Sequence, residues 1–320
     1  MKTVLNTEKK IRAEIEKTGK HPFYSMNYFG DYGYDEYLKK CVSNLDEFCD
    51  FANERLIIDR AINITRRNFG CATFVAQNTE GNKIFAQNMD CEYAIPMMIR
   101  LSESSNYKSL AFLNMAELDW DENTFDTLET DAKLTLAAPY SPHDGINEHG
   151  LAVACMTDAS AIYPNSTDKI TLFDETLTRL LLDRAKSVDE AIEYMKNFNL
   201  FFSVAPLHYM VADATGDAAV IEFVDGKMVT VKKNGNYLVA TNFTLYNNPT
   251  CAGFGKDRYE NIENQLGKCG GVITENDALE LLKRNVIPGD EQWSSVYNLA
   301  KRRVMVTFSR DYDNEYEFEL

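Results

Sequence analysis

The sequence has no long apolar run and no excess of basic residues, and each absence argues against a class of protein. No run of about 18 consecutive apolar residues occurs, so we expect no membrane-spanning helix. The opening segment "MKTVLNTEKKIRAEIEKTGK" is charged and lacks the apolar region of a secretory signal. The formal net charge of −16 argues against a nucleic acid or an anionic membrane surface as partner. We therefore expect a cytoplasmic protein.

Cysteine and glycine patterns exclude further classes. The chain has seven cysteines, and none of them forms a CxxC pair of the zinc-binding type. In a cytoplasm we expect these thiols to be reduced. No glycine-rich turn opens a strand–helix unit, and "GFGKD" at 253–257 lacks the spacing of a phosphate-binding loop. We expect neither a metal nor another cofactor.

The chain divides into two parts by its hydrophobic pattern. Residues 1–66 are charged, and "NLDEFCDFANERLIIDRAINITRR" places apolar residues at roughly helical spacing, which predicts a helical segment. From residue 71 the pattern changes to short strands such as "CATFVAQ" and "NKIFAQNM", joined by the turn "NTEGN". Hairpin-linked strands then alternate with helix pairs, which predicts an α+β fold of antiparallel sheets covered by helices.

The Gly70–Cys71 pair directly precedes the first of these strands. If the peptide bond between them is cut, Cys71 carries a thiol and a free α-amine, and the amine has a pKa of about 8, close to working pH. That amine can take the thiol proton. Gly70 leaves its own carbonyl sterically open to the thiol, so an acyl shift followed by hydrolysis would cut the chain. Taken alone, the pair is weak evidence and favours an inert cysteine buried in a strand.

Further segments, in order along the chain, favour the reactive cysteine. "CATFVAQNTEGNKIFAQNMDCEY" resembles the start of the mature chain in choloylglycine hydrolase and penicillin acylase-like enzymes. These are N-terminal nucleophile (Ntn) hydrolases, as are isopenicillin N acyltransferase and the acid ceramidase relatives. The resemblance implies a four-layer αββα sandwich cut between Gly70 and Cys71. Residues 1–70 would be a helical propeptide that becomes the small subunit, and residues 71–320 the catalytic domain.

The resemblance also implies a role for each matching residue. Asp90 in "QNMD" would orient the Cys71 amine. Asn147 in "GINEHGLAVACM" and Asn242 in "LVATNFTLY" would donate their side-chain amides to the oxyanion. Arg258 in "GKDRYENIENQL" would lower the pKa of the Cys71 thiol and hold the carboxylate network.

Three residues are candidates for substrate binding. Gln87 stands where bile salt hydrolases and acid ceramidase-like members have an arginine, and isopenicillin N acyltransferase-type members tolerate glutamine there. Met97 and Met98 in "EYAIPMMIRL" could adapt to an acyl chain, or could be ordinary core. The resemblance implies a small N-acyl amide as substrate. It also implies either a homo-oligomer (dimer or tetramer) or a heterodimer of the cleaved chains.

Other interpretations remain open at this point. "SPHDGINEHG" places His143, Asp144, Glu148 and His149 close together, which is compatible with a metal hydrolase but lacks HExxH spacing, so we predict a structural or rim role. His208 could serve a papain-like Cys–His pair, although a strand-edge position is the simpler prediction. The main prediction is an amidohydrolase acting on a linear carbon–nitrogen bond. The alternatives are an N-acyltransferase of the isopenicillin N type and an uncleaved, non-catalytic binding module of the same fold.

Overall fold

Two β-sheets lie face to face, and helices cover their outer faces. The structure is a computed structural model that describes residues 2–18, 23–56, 58, 62, 64, 69–103, 106–120 and 129–320. In this part of the chain the larger sheet has ten strands and the smaller sheet has six. The predicted α+β class and the four-layer arrangement are confirmed.

The larger sheet combines the first three strands of the chain with seven later ones. Its strands are β1 (Lys2–Asn6), β2 (Arg12–Thr18), β3 (Phe23–Phe29), β6 (Pro96–Glu103), β7 (Ser109–Asn114), β8 (Asp144–Asn147), β9 (Ala152–Thr157), β12 (Leu207–Ala212), β13 (Ala218–Val224) and β14 (Lys227–Lys232), in this spatial order. Neighbouring strands are antiparallel except β3 and β6, which run parallel.

The smaller sheet carries Cys71 near the beginning of one of its strands. In spatial order it consists of β15 (Leu238–Ala240), β4 (Phe69–Gln77), β5 (Lys83–Cys91), β16 (Glu291–Asn298), β17 (Arg303–Phe308) and β18 (Tyr316–Glu319). All of its pairs are antiparallel. The β4–β5 hairpin sets Cys71 opposite Met89 and Gly70 opposite Asp90.

Seven α-helices occur in the described part of the chain. They are α1 (Tyr34–Lys40), α2 (Leu45–Leu56), α3 (Glu129–Leu134), α4 (Thr176–Arg184), α5 (Val188–Met195), α6 (Lys256–Lys268) and α7 (Glu275–Lys283). Two 3-10 turns, Met115–Leu118 and Thr135–Tyr140, and a short parallel pair, β10 (Ile170–Phe173) with β11 (Phe198–Phe201), complete the structure. None of the described helices is long and apolar enough to cross a membrane.

The two faces of the β4–β5 hairpin belong to different hydrophobic layers, because successive side chains of a strand point to opposite sides. Cys71, Val75 and Met89 lie in the core between the two sheets. Ala72 and Phe74 lie in the second core, against α6 and α7. The Cys71 thiol therefore lies in the core between the two sheets, and α6 and α7 cover the opposite face of the smaller sheet.

The prediction that residues 1–66 are helical is wrong for the described residues before Tyr34, which form β1, β2 and β3. Strand β3 buries Tyr24, Met26 and Tyr28 at every second position, which is the periodicity of a strand. Only α1 and α2 are helical in this region, and the end of the predicted helix falls largely outside the described residues. The dense charge of β1 and β2 hid the alternation, because both strands expose polar residues near the sheet edge.

A buried carboxylate joins the two sheets across the interior. Asp144, on β8 of the larger sheet, accepts hydrogen bonds from Trp293 Nε1 (2.9 Å), Ser295 Oγ (2.8 Å) and the Tyr297 hydroxyl, all on β16 of the smaller sheet. Asp144 is fully buried. Buried polar groups without partners are costly, so each of the three donors depends on this carboxylate.

We expect Asp144→Ala to lower the free energy of unfolding by about 3 kcal/mol, because it leaves three buried donors unsatisfied. Urea denaturation followed by tryptophan fluorescence measures this change. Asp189→Ala is the matched control, since Asp189 forms an exposed ion pair with Lys232 and should cost less than about 1 kcal/mol. Equal losses for the two variants would show that the sheet-to-sheet contact does not stabilise the fold.

Candidate active site

Cys71 is the third residue of β4 and is fully buried in the structure. Its Sγ lies 3.8 Å from the carbonyl oxygen of Cys155 on β9 and 4.0 Å from Met89 Sδ. Burial raises the pKa of the Cys71 thiol well above its ordinary value, and the nearby Cys155 and Asp90 add to this effect. In the uncut chain the thiol is therefore protonated at neutral pH.

The register of the smaller sheet brings Asn242 to Cys71. Strand β15 pairs with β4 so that Ala240 lies opposite Thr73. Asn242, two residues after Ala240, therefore lies next to Cys71. There the Cys71 backbone N–H donates to Asn242 Oδ1 at 2.8 Å. The Asn242 amide nitrogen donates to the Thr157 carbonyl at 3.0 Å, which connects this site to the end of β9.

Arg258 binds the backbone carbonyl of Cys71. Its Nη1 donates to the Cys71 carbonyl oxygen at 2.6 Å, and its Nη2 donates to Asn242 Oδ1 at 3.0 Å. Both Arg258 and Asn242 are buried. Asn242 Oδ1 thus accepts from the Cys71 backbone and from the guanidinium at once.

Gly255, at the start of α6, makes room for this guanidinium. It has a φ of 84°, and a Cβ at this position would lie 2.5 Å from Arg258 Nη2. Its carbonyl accepts a hydrogen bond from Thr241 Oγ1 at 3.0 Å. The left-handed conformation and the close approach both favour glycine.

Asp90 lies beside the Gly70–Cys71 bond on the neighbouring strand, with Gly70 as its cross-strand partner. Its Oδ1 accepts a hydrogen bond from the Ile287 backbone N–H at 3.1 Å. Its Oδ2 is buried and has no hydrogen-bond partner among the described residues. Burial raises the pKa of Asp90 to about 7, so its carboxyl group changes charge near neutral pH.

Gly70 is closely covered by Ile287. A Cβ on Gly70 would lie 2.0 Å from Ile287 Cδ1 and 3.5 Å from Phe254 Cε1. The bond before Cys71 therefore fits under Ile287 only because residue 70 has no side chain. Sequence reasoning assigned Gly70 an open carbonyl but did not predict Ile287, which is distant along the chain.

Asn147 lies apart from this group, at the end of β8. Its Nδ2 donates to the carbonyl oxygens of Leu182 (3.0 Å) and Ala185 (2.8 Å), and its Oδ1 accepts from the backbone of His149 and Leu151. Both amide hydrogens are used at the end of α4, so the predicted oxyanion role of Asn147 does not fit the structure. "GINEHG" instead forms the turn between β8 and β9, for which Asn and Gly are suitable residues.

The three predicted substrate-binding residues are buried. Met97 and Met98 are packed in the core on β6, as expected if they are ordinary core residues. Gln87 accepts a hydrogen bond from Thr73 Oγ1 at 2.7 Å, while its Nε2 is buried with no partner among the residues that the structure describes.

The four titratable residues of "HDGINEH" contact different partners. His143 contacts Glu117 (3.0 Å) and Cys155 Sγ (3.8 Å), Asp144 binds β16, Glu148 accepts from the Lys108 backbone, and His149 packs on Tyr107. Within the described ranges, no three His, Cys, Asp or Glu side chains form a group that could hold a metal ion. His208 Nε2 lies 2.8 Å from the Thr241 carbonyl, which is not the arrangement of a Cys–His pair.

Comparisons with known proteins identify the family of the chain. The family model described as linear amide C-N hydrolases, choloylglycine hydrolase family, matches residues 71–265, more than half of the chain. A penicillin V acylase from Pectobacterium atrosepticum is 32% identical over 114 residues, which covers 32% of this chain and 30% of that protein. The chain thus matches less than a third of the length of this relative.

Two solved structures share the fold. A mutant of the conjugated bile acid hydrolase from Clostridium perfringens superposes with a TM-score of 0.55 at 16% identity, covering 78% of this chain and 92% of that one. The penicillin V acylase from Agrobacterium tumefaciens gives a TM-score of 0.56 at 18% identity, covering 78% and 86%. Together with the family match over residues 71–265, the fold and the sequence lead to one conclusion: the chain belongs to the linear amide C–N hydrolases of the choloylglycine hydrolase family.

Proposed function

We propose that the chain is a self-processing cysteine amidohydrolase that cuts itself between Gly70 and Cys71 and then hydrolyses a small N-acyl amide. The observation that carries this proposal is the fixation of Cys71 at both ends of its backbone, by Asn242 and by Arg258. The family match supports it, because it begins at residue 71.

The first cleavage needs a base other than the Cys71 nitrogen, since that nitrogen is still an amide. Asp90 suits this role, because it lies opposite Gly70, has a buried oxygen without a described partner, and has a pKa of about 7. The thiol and the Asp90 carboxyl lie on opposite faces of the β4–β5 hairpin, so the thiol proton passes to Asp90 through a water molecule. The sulfur then attacks the Gly70 carbonyl carbon. The carbon–nitrogen bond breaks, the nitrogen takes the proton and becomes the α-amine, and water hydrolyses the thioester.

In turnover, the new α-amine takes the thiol proton directly, and the sulfur attacks the substrate carbonyl. Asn242 has a second amide hydrogen besides the one given to Thr157, and it donates this hydrogen to the oxyanion. A well-placed donor of this kind contributes about 3 kcal/mol to the transition state. The amine then protonates the leaving nitrogen, and water releases the acyl group from Cys71.

Residues 1–70, here called the prosegment, are proposed to stay bound after cleavage as one chain of a heterodimer. Strand β3 pairs with β6 inside the larger sheet, so the prosegment supplies three of its ten strands. The Tyr34 hydroxyl donates to the Thr176 carbonyl at 2.8 Å, and the Tyr37 hydroxyl accepts from the Phe173 backbone at 2.9 Å. Both tyrosines are fully buried against the catalytic domain.

Cys71→Ala should abolish both self-cleavage and amide hydrolysis, because it removes the nucleophile of both reactions. We expect a rate loss of at least about a thousandfold. Intact-mass analysis of freshly translated chain measures the cleavage. A panel of penicillin V, conjugated bile acids, fatty acyl amides and acyl amino acids measures the hydrolysis.

Cys91→Ala is the matched control for this variant, since Cys91 is an equally buried thiol at the end of the neighbouring strand. It should be cleaved at close to the wild-type rate. Cleavage of the Cys71→Ala chain, or hydrolysis by it, would refute the proposed nucleophile.

Self-cleavage should accelerate by about tenfold between about pH 6 and about pH 8, because a carboxyl group with a pKa of about 7 ionises over this interval and only its ionised form accepts a proton. Asp90→Asn should be slow and should lose this rise. The rate is measured by intact mass in buffers of equal ionic strength. A rise of the same size in Asp90→Asn would assign the titration to another group.

The cleaved protein should elute as a single species that contains both chains. The reason is that separation would remove three strands from the larger sheet and expose the buried tyrosines. Size-exclusion chromatography at neutral pH, followed by intact mass of each fraction, measures this. Elution of residues 71–320 without the prosegment would contradict retention.

A further inference from the structure

His208 and Glu222 form a buried pair beneath the segment that carries Asn242. His208 is on β12 and Glu222 on the adjacent β13, and both are fully buried. His208 Nδ1 lies 3.6 Å from Glu222 Oε1. Neither residue contacts Cys71 through a hydrogen bond that the structure describes, and the chemistry proposed above assigns no role to either.

His208 and Glu222 contact the backbone on both sides of Asn242. Before it, His208 Nε2 lies 2.8 Å from the carbonyl oxygen of Thr241. After it, the two carboxylate oxygens of Glu222 accept from the backbone N–H groups of Leu245 (2.6 Å) and Tyr246 (2.8 Å). Residues 241–246 are therefore fixed to the larger sheet at both ends, although Asn242 acts on a residue of the smaller sheet.

The contacts define the protonation of His208. A carbonyl oxygen only accepts, so Nε2 carries a proton, and Nδ1 faces a carboxylate. Burial lowers the pKa of His208, but the Glu222 and Asp158 carboxylates outweigh this and raise it above the usual value. Asp158 belongs to the same region, since it accepts a hydrogen bond from Thr244 Oγ1 at 2.5 Å.

We infer that His208 and Glu222 are positioning residues that orient the Asn242 side chain toward Cys71. This inference rests on the proposed roles of Cys71 and Asn242. Loss of the pair should lower the rate of the step in which the sulfur attacks, because Asn242 would no longer be held against the Cys71 backbone. Loss of the proton from His208 at alkaline pH should have the same effect, since it leaves Glu222 without its counter-charge.

A double-mutant cycle on self-cleavage tests this inference without a known substrate. The chains compared are wild type, His208→Gln, Asn242→Ala and the double variant, each made by cell-free translation and followed by intact mass. We expect His208→Gln to slow cleavage by about tenfold in the wild-type background and by less than about twofold in the Asn242→Ala background. Equal slowing in both backgrounds would overturn the inference, because His208 would then act independently of Asn242.

The pH profile separates positioning from a purely structural role. Wild-type cleavage should slow at alkaline pH as His208 loses its proton, and His208→Gln should lack this alkaline decline. A wild-type rate that shows no decline, or a decline that persists in His208→Gln, would refute the inference. His149→Gln, at a half-buried histidine that packs on Tyr107, is the control and should keep the wild-type profile.

Thermal unfolding and a second variant distinguish a loss of positioning from a loss of folding. Thermal unfolding checks that each variant is folded, and Glu222→Gln replaces His208→Gln if the latter is not. The carboxamide keeps the shape of Glu222 but turns an N–H group toward a backbone donor, so it should also slow cleavage. If Cys71→Ala is inert but His208→Gln and Glu222→Gln both match His149→Gln, only this inference fails. If Cys71→Ala is cleaved, the proposed function itself fails.

Discussion

One acceptor atom, Asn242 Oδ1, organises the whole site. It receives the Cys71 backbone N–H and an Arg258 N–H at the same time, so three segments that are distant along the chain meet at a single oxygen. The Asn242 amide nitrogen extends the connection to Thr157 on the other sheet. The position of Cys71 therefore depends on both sheets and on the start of α6, not on its own strand alone.

The surroundings of Cys71 keep its thiol protonated. The thiol is buried between the sheets and Ile287 covers the preceding glycine, so burial keeps the proton on sulfur. The same burial raises the pKa of Asp90 to about 7. Exclusion of water thus affects both groups in the same direction, because it keeps the Cys71 thiol neutral and raises the pKa of the Asp90 carboxyl toward neutrality.

The sequence predicts the position of a residue where that position depends on local pattern, and not where it depends on register across the sheets. Cys71 and Asp90 lie on one hairpin that alternation and turn residues predict, and the structure places Asn242 and Arg258 beside them. Asn147 belongs to a similar Asn–Gly turn, but its amide hydrogens are donated to carbonyl oxygens at the end of α4. The strands of the prosegment were missed because a parallel partner, β6, lies far along the chain. Ile287 carried no local signal, and nothing near His208 in the sequence indicates its contact with Thr241, since only the fold brings these residues to the site.

The parallel pairing of β3 with β6 has a consequence for folding. The prosegment occupies the edge of the larger sheet, whereas the bond at Gly70 lies in the smaller sheet. Cutting that bond turns contacts made within one chain into contacts between two, and their effective concentration then falls to the concentration of the separate chains. An uncut chain would refold after denaturation as one molecule, whereas the two pieces of a cut chain would have to find each other again. If the chain is cut as proposed, the cut form would be kinetically trapped, so that its lifetime would depend on its unfolding rate.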